Sequence, residues 1–299
     1  MLLAIGAGWG AVFSLIKIAV STGHPPLGLM AWQFVSMALV LVAINTWRGK
    51  HAPWGQRQIA VYLMLACLGS LVPNVLTYAA AAHLSAGLLS ILSATLPLFA
   101  FPIAIWLGTD RAELRRVVGI LCGFACVALI LWPEARLPNA GLALWIAVAL
   151  VPSLLYAMEG NIIAKWGDGW GLDPIQMLTG ASILGAPMTL MLASVTGQYI
   201  DPIRPWGAPE WALVISAALH AVVYASYFWT VTRAGIVFAS QVSYLITGFG
   251  VVIAMVVLGE RYALHIWAGL GLMLVGLALV RPRQKSGLVP RGAMQDNER

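Results

Sequence analysis

The sequence predicts an all-α integral membrane protein: ten transmembrane helices, arranged as two inverted five-helix repeats, with the N-terminus and the C-terminus both inside. Three observations carry this expectation. Of 299 residues, 61% are hydrophobic and 9% charged, and the mean hydropathy is +0.87. A soluble domain carries about 25% charged residues, so this chain has too little polar surface to cover a water-soluble globule, and the bilayer is its expected solvent. The apolar residues fall into ten runs separated by turn and charge signals, and the landmarks of the first half recur in the second.

Each run is close to the roughly 20 residues that cross a hydrocarbon core. Residues 2–20 have no positive stretch before them and no cleavage signature, so they read as a retained helix rather than a signal peptide. "TGHPP" ends that run; 27–47 follows and stops at "WRGKHAPWGQR". The runs 59–82 and 86–107 are parted by "HLS", and "GTDRAELRR" leads to 115–132. "PEARLPN" belongs to a periplasmic connection, residues 133–140, between a first repeat at 1–132 and a second at 141–281. In the second half, 141–164 stops at "KWGDGWGLDP", 174–196 at "DPIRPWGAPE", 211–232 at "TRAG" and 236–258 at "GER", before 263–280. Pro, Gly, Asn and Asp clusters of this kind punctuate helices. "SGLVPRG" resembles a protease recognition site, so residues 286–299 are expected to be an appended or disordered tail.

Charge sets the orientation. With the N-terminus inside, the cytoplasmic ends hold Arg48, Lys50, Arg57, Arg111, Arg115, Arg116, Lys165, Arg233, Arg281, Arg283 and Lys285, against Arg136, Arg204, Arg261 and Lys17 on the other side. Eleven against four follows the positive-inside bias. Trp residues near run boundaries, such as Trp47, Trp106, Trp166 and Trp211, suit interfacial belts.

Gly108 and Gly259 differ by 151, Gly119 and Gly269 by 150, Tyr78 and Tyr227 by 149, and Lys17 and Lys165 by 148. A second copy that follows five spans enters the membrane from the opposite side, so such repeats are inverted. Secondary transporters commonly have this architecture, with the substrate near the midplane between repeats.

"WGAVFSLIKIAV" (9–20), "NVLTYAAAAHLSAGLLSILSATLPLFAFPIAIWLG" (74–108) and the run 224–280 ending "VVLGERYALHIWAGLGLMLVGLALV" carry a family resemblance. The chain resembles the drug/metabolite transporter superfamily, in its EamA-type branch of ten-helix exporters, over nearly its whole length. The resemblance implies an inner-membrane carrier exporting amino acids, other metabolites or drugs, by facilitated or proton-linked transport. The chain departs from the family at Gln33, where Arg is usual, and at Thr109, where Glu is usual, while Glu260 is retained and is expected to serve the free amides at the start of the run 263–280.

Ionisable groups inside hydrocarbon cost at least about 2.5 kcal/mol and need a reason. Glu159, in "LYAMEGNIIAK", reads as a proton-titrating carboxylate, a contact for a cationic amino group, or a helix-end carboxylate that reaches water or pairs with Lys165. Lys17 reads as a partner for a substrate carboxylate or as a stem reaching the interface. Asn74 and Tyr78 share a helix face, as do His220, Tyr224 and Tyr227, and Gln241 and Tyr244. With Ser93 and Gln33 these are the expected substrate-cavity residues, or else ordinary interhelical hydrogen bonders. Pro97, Pro102 and Gly248 are candidate hinges. "GAGWG" and the glycines of the runs at 115–132 and 263–280 offer close-packing faces and a seam for a homodimer.

Other function classes lack their residues. No P-loop, G-x-S-x-G or H-E-x-x-H is present, so neither an ATP-driven pump nor a hydrolase is indicated. Cys67, Cys122 and Cys126 lie in apolar runs and read as packing residues, with no metal site and no cofactor expected. No channel filter is visible, and the net charge of +6 follows the membrane bias rather than pointing to nucleic acid. The expected function is export of small metabolites, amino acids with aromatic or apolar side chains foremost, from the bacterial cytoplasm. A multispecific drug exporter of the same fold is the alternative.

Overall fold

The computed structural model describes residues 1–109, 140–203, 205–234 and 242–279, together with 114–115, 117–119, 121–122, 125–126 and 129. Every regular element among them is helical. The expected span 115–132 and the tail 286–299 fall largely or wholly outside the described residues.

Among the described residues, nine helices fall on nine of the expected runs. They are α1 (Leu2–Ala19), α2 (Pro26–Trp47), α3 (Gln56–His83), α4 (Ala86–Trp106), α5 (Ala140–Trp166), α6 (Pro174–Val195), α7 (Ala208–Ala234), α8 (Val242–Val257) and α9 (Leu264–Leu279). Seven of them, α1 to α7, are long and apolar enough to cross a membrane. Their outer faces carry large exposed apolar side chains, among them Leu39, Met191, Val195, Val256 and Leu264. The inside holds Gln33, Asn74, Glu159, Asn161 and Thr189. Contiguous exposed apolar surface of this kind marks a lipid-facing protein.

Local chemistry sets the helix ends. Pro26 opens α2 and Pro174 opens α6, where a missing N–H costs nothing. Asp173 caps α6: its carboxylate accepts from the Ile175 and Gln176 amides, and the Gln176 side chain returns to the Asp173 amide. Gly108 (φ 72°) and Gly259 (φ 67°), the matched glycines of "LGTD" and "LGER", both take the left-handed conformation just beyond α4 and α8. After α4 the Gly108 amide bonds to the Ile105 carbonyl and the Thr109 amide to Ala104, a closure that needs a residue free of Cβ at the turn.

The packing interleaves the two halves of the chain. Helix α1 packs on α7 and α8, α2 on α6 and α7, α3 on α5 and α6, and α4 on α5 and α8. The pairings close a circuit in which first-half and second-half helices alternate. Small residues permit the closest approach: a Cβ on Gly10 would lie 2.7 Å from the Gly250 amide nitrogen, so α1 and α8 touch backbone to backbone.

Candidate functional site

The site forms where α1, α3, α5 and α7 face one another. Helix α3 is not regular there. Residues Cys67–Leu71 form one π-helical turn, and Pro73 follows it. Pro73 has no N–H to give the Gly69 carbonyl four residues back, so the α-ladder is already broken at that point. Gly69 is buried within the turn, against the Glu159 carboxylate of α5; a Cβ at Gly69 would run into it. Glu159 is 7% exposed and has no hydrogen bond or ion pair to any described residue. Lys165, its alternative partner by sequence, instead donates to the Leu107 carbonyl (3.0 Å).

Polar side chains surround that carboxylate. The Tyr156 hydroxyl, one turn before Glu159, donates to Asn74 Oδ1 (3.3 Å). The Tyr78 hydroxyl donates to Gln33 Oε1 (2.8 Å), both side chains being buried between α2 and α3. Tyr224 of α7 lies within Coulombic reach of both Tyr156 and Glu159. Beyond it, Trp9 of α1 makes edge contacts with Tyr224 and Tyr227 (centroids 5.4 Å from each) and with His220 (6.1 Å). His220 Nδ1 is buried with no hydrogen-bond partner.

Thus the structure brings Asn74, Glu159, Tyr224, Tyr227 and His220 into one buried polar and aromatic cluster, the Glu159 chamber, with Gln33 and Tyr78 paired beside it. The other candidates lie elsewhere. The Ser93 hydroxyl bonds back to the Ser90 carbonyl (2.8 Å). Lys17 Nζ donates to the Ala81 and Leu84 carbonyls (2.7 and 2.8 Å), so it closes the C-terminal end of α3 rather than presenting an ammonium to the chamber. Helix α4 breaks at Ala94–Thr95, and Pro97 is the second residue of the segment that restarts at Leu96, so the interruption precedes Pro97; Pro102 lies inside that segment. Helix α8 runs on through Gly248, which faces open space, whereas Gly250 meets Ser90 and Gly10. Gln241 is outside the described residues, as is the side chain of Tyr244.

Three contributors were not marked by the sequence reading. Tyr156 could have been found, being three residues before Glu159 and so on its face. Trp9 stands mid-run, away from the boundaries where belt tryptophans sit. Gly69 carries no signal, because a glycine in an apolar run reads as packing.

A second polar cluster closes one end of the bundle. The Glu260 carboxylate, expected to cap the helix that follows it, instead accepts from the Ala86 amide (2.8 Å) and the Gly87 amide (3.2 Å) at the start of α4, and from the Tyr262 hydroxyl. Lys17 sits on the carbonyl end of α3 and Glu260 on the amide end of α4, each charge matched to a helix dipole. Separately, a cavity of about 710 Å³ opens between the ends of α4 and α5, lined by Arg57, Trp106, Lys165, Trp166 and Trp170 among others. Its lining includes Met158 and Ile162, beside Glu159 in α5, but not Glu159 itself. No cluster of His, Cys, Asp or Glu among the described residues could hold a metal.

The EamA-like transporter family matches residues 1–132 and 143–281. A WAT1-related chloroplastic protein of Arabidopsis thaliana is 24% identical over 288 residues, 91% of this chain; the chain spans only 66% of that relative's length. The uncharacterized inner membrane transporter YedA of Escherichia coli K12 is 23% identical over 93% of this chain and 89% of its own. A solved crystal structure superposes with a TM-score of 0.62 at 16% identity, covering 93% of this chain and 95% of the other, which speaks to fold alone. This chain is a multi-pass membrane protein and belongs to the EamA-like transporter family.

Proposed function

We propose that the protein is a secondary transporter that exports small metabolites, amino acids foremost, across the bacterial inner membrane by alternating access. One observation carries the reading: a buried carboxylate with no partner among the described residues, Glu159, in a polar and aromatic cluster contributed by α1 and α3 from one half of the chain and α5 and α7 from the other. A site at the junction of two halves becomes accessible from either side as one rocks against the other. The alternation of first-half and second-half helices supports two inverted five-helix repeats, as does the family match over 1–132 and again over 143–281. The likeness to YedA, an inner membrane transporter, supports inner-membrane residence. The glycines of α9 and of the span at 115–132 remain the proposed homodimer seam.

Counterflow in proteoliposomes tests the transport reading. Labelled amino acid is expected to accumulate against unlabelled internal substrate, saturably and above empty vesicles; a broad panel of amino acids and drugs giving no exchange sinks it. A pH gradient imposed in the same vesicles tests coupling. If Glu159 carries the proton, Glu159→Gln abolishes the gradient's effect; an unchanged pH response removes that role.

A further inference from the structure

The chamber holds one acid and, among its described residues, no fixed cation. Lys17 is committed to the Ala81 and Leu84 carbonyls and Lys165 to Leu107. Glu159 is 7% exposed and unpaired to described residues. A carboxylate buried without a partner is costly, and the cost is relieved by a cation or a proton. The walls suit an organic cation. Tyr156 lies one turn from Glu159, and Tyr224 leads on to Trp9, Tyr227 and His220, with centroids 5.2–6.1 Å apart. Aromatic faces carry negative quadrupole charge and attract ammonium groups, Trp most strongly. His220 Nδ1, buried and unpartnered, is a further polar atom left for a ligand. Tyr156 lies three residues from Glu159 on α5, and Tyr224 lies within Coulombic reach of both, so the carboxylate and the aromatic set are neighbours.

An amino acid brings a second charge. Its carboxylate would enter a low-dielectric chamber beside Glu159 with no described Lys or Arg to receive it, a like-charge pairing that such a medium penalises heavily. A molecule with an ammonium head, an apolar or aromatic body and no carboxylate meets both the acid and the rings without that penalty.

We infer that the Glu159 chamber binds the ammonium group of an organic amine, and that amines lacking a carboxylate are the preferred substrate class. This rests on the transporter reading above and departs from it in substrate class, putting carboxylate-free amines in place of amino acids. Gly69 has a defined part: its missing Cβ leaves the volume that the Glu159 carboxylate occupies.

The test uses three compounds with one phenyl body and different heads: phenethylamine, phenylalanine and 3-phenylpropionate. Binding to the purified full chain in detergent is measured by titration calorimetry at neutral pH. Phenethylamine is expected to bind at least tenfold more tightly than either of the others. Glu159→Gln and Gly69→Ala are each expected to weaken phenethylamine binding at least tenfold. The wild-type ranking needs no variant to fold, and variants are compared only where they elute monodisperse. Phenylalanine binding as tightly as phenethylamine overturns the inference, as does failure of a monodisperse wild-type protein to bind the amine, or an amine preference that survives in Glu159→Gln. Counterflow separates the two readings: exchange of phenylalanine with no amine preference leaves a transporter standing and removes the amine assignment, whereas no exchange of any substrate removes the transporter.

Discussion

Glu260 shows how a residue's chemistry can be read from sequence while its partner cannot. The carboxylate after Gly259 was expected to serve free amides at a helix start, and it does, but the helix is α4, whose Ala86 and Gly87 amides lie 174 and 173 residues away in the chain. Glu260→Ala is expected to destabilise the protein by about 1 kcal/mol, the usual cost of losing a carboxylate cap, read as a lower melting temperature in detergent. Glu260→Gln keeps an acceptor and should fall between the two; an Ala variant that melts with the wild type contradicts the cap. Glu159 was legible as a costly intramembrane charge, and the faces of Asn74, His220, Tyr224 and Tyr227 as polar stripes. Which stripes meet was not legible, because helical periodicity fixes a face within one helix and says nothing of the helix opposite.

At the scale of elements, the caps and the small-residue contacts are where local sequence and packing agree. Gly10 is matched to the Gly250 backbone across α1 and α8. Gly10→Ala must push the helices apart, and a loss of about 1–3 kcal/mol is expected, as for overpacked cores, measured by thermal unfolding; an unchanged melting temperature would show that this crossing yields freely. The start of α6 carries a pH dependence. Burial pushes the Asp173 carboxyl up, but hydrogen bonds from Arg48, from the Gln176 amide and from Lys50 outweigh it and hold the group below the usual carboxylate range. Arg48 lies 2.9 Å and Lys50 3.2 Å from its Oδ2. A depressed folded pKa stabilises the fold above the unfolded value, about 3.9. That contribution is lost as pH falls from there through the folded value. Acid melting curves should therefore differ between wild type and Asp173→Asn, which keeps a capping oxygen but has no charge to lose. Parallel curves between pH 5 and pH 2 argue against the ion pairs. The capping box was readable from Asp173-Pro174-Ile175-Gln176, whereas Arg48 and Lys50 as its partners were not.

For the whole molecule, the bilayer reading and the helix positions followed from composition, run lengths and the "LG"-charge repeat, and the family from the resemblance of the stretches 9–20, 74–108 and 224–280. The orientation rests on Lys and Arg placement, and it predicts sidedness. In a chain whose native cysteines are replaced by serine, Lys50→Cys should react with a membrane-impermeant thiol reagent only from the cytoplasmic side, and Arg261→Cys only from outside. Reaction of both from one side contradicts an odd number of spans between them. The circuit in which α1 to α4 alternate with α5 to α8 places Glu159 between the halves, the position that the proposed alternating-access mechanism requires.

The sequence by itself determined the solvent of this protein, the positions and ends of its helices, and the residue types held inside them, because hydrophobicity, capping and helix period act over a few neighbouring residues. Only the tertiary structure decided that Lys17 closes a helix end and leaves Glu159 without a cation among the described residues, that Gly69 makes the room Glu159 fills, and that Trp9 completes the cluster. Those outcomes depend on which helix lies opposite which, and that is set by side-chain packing between residues far apart in the chain.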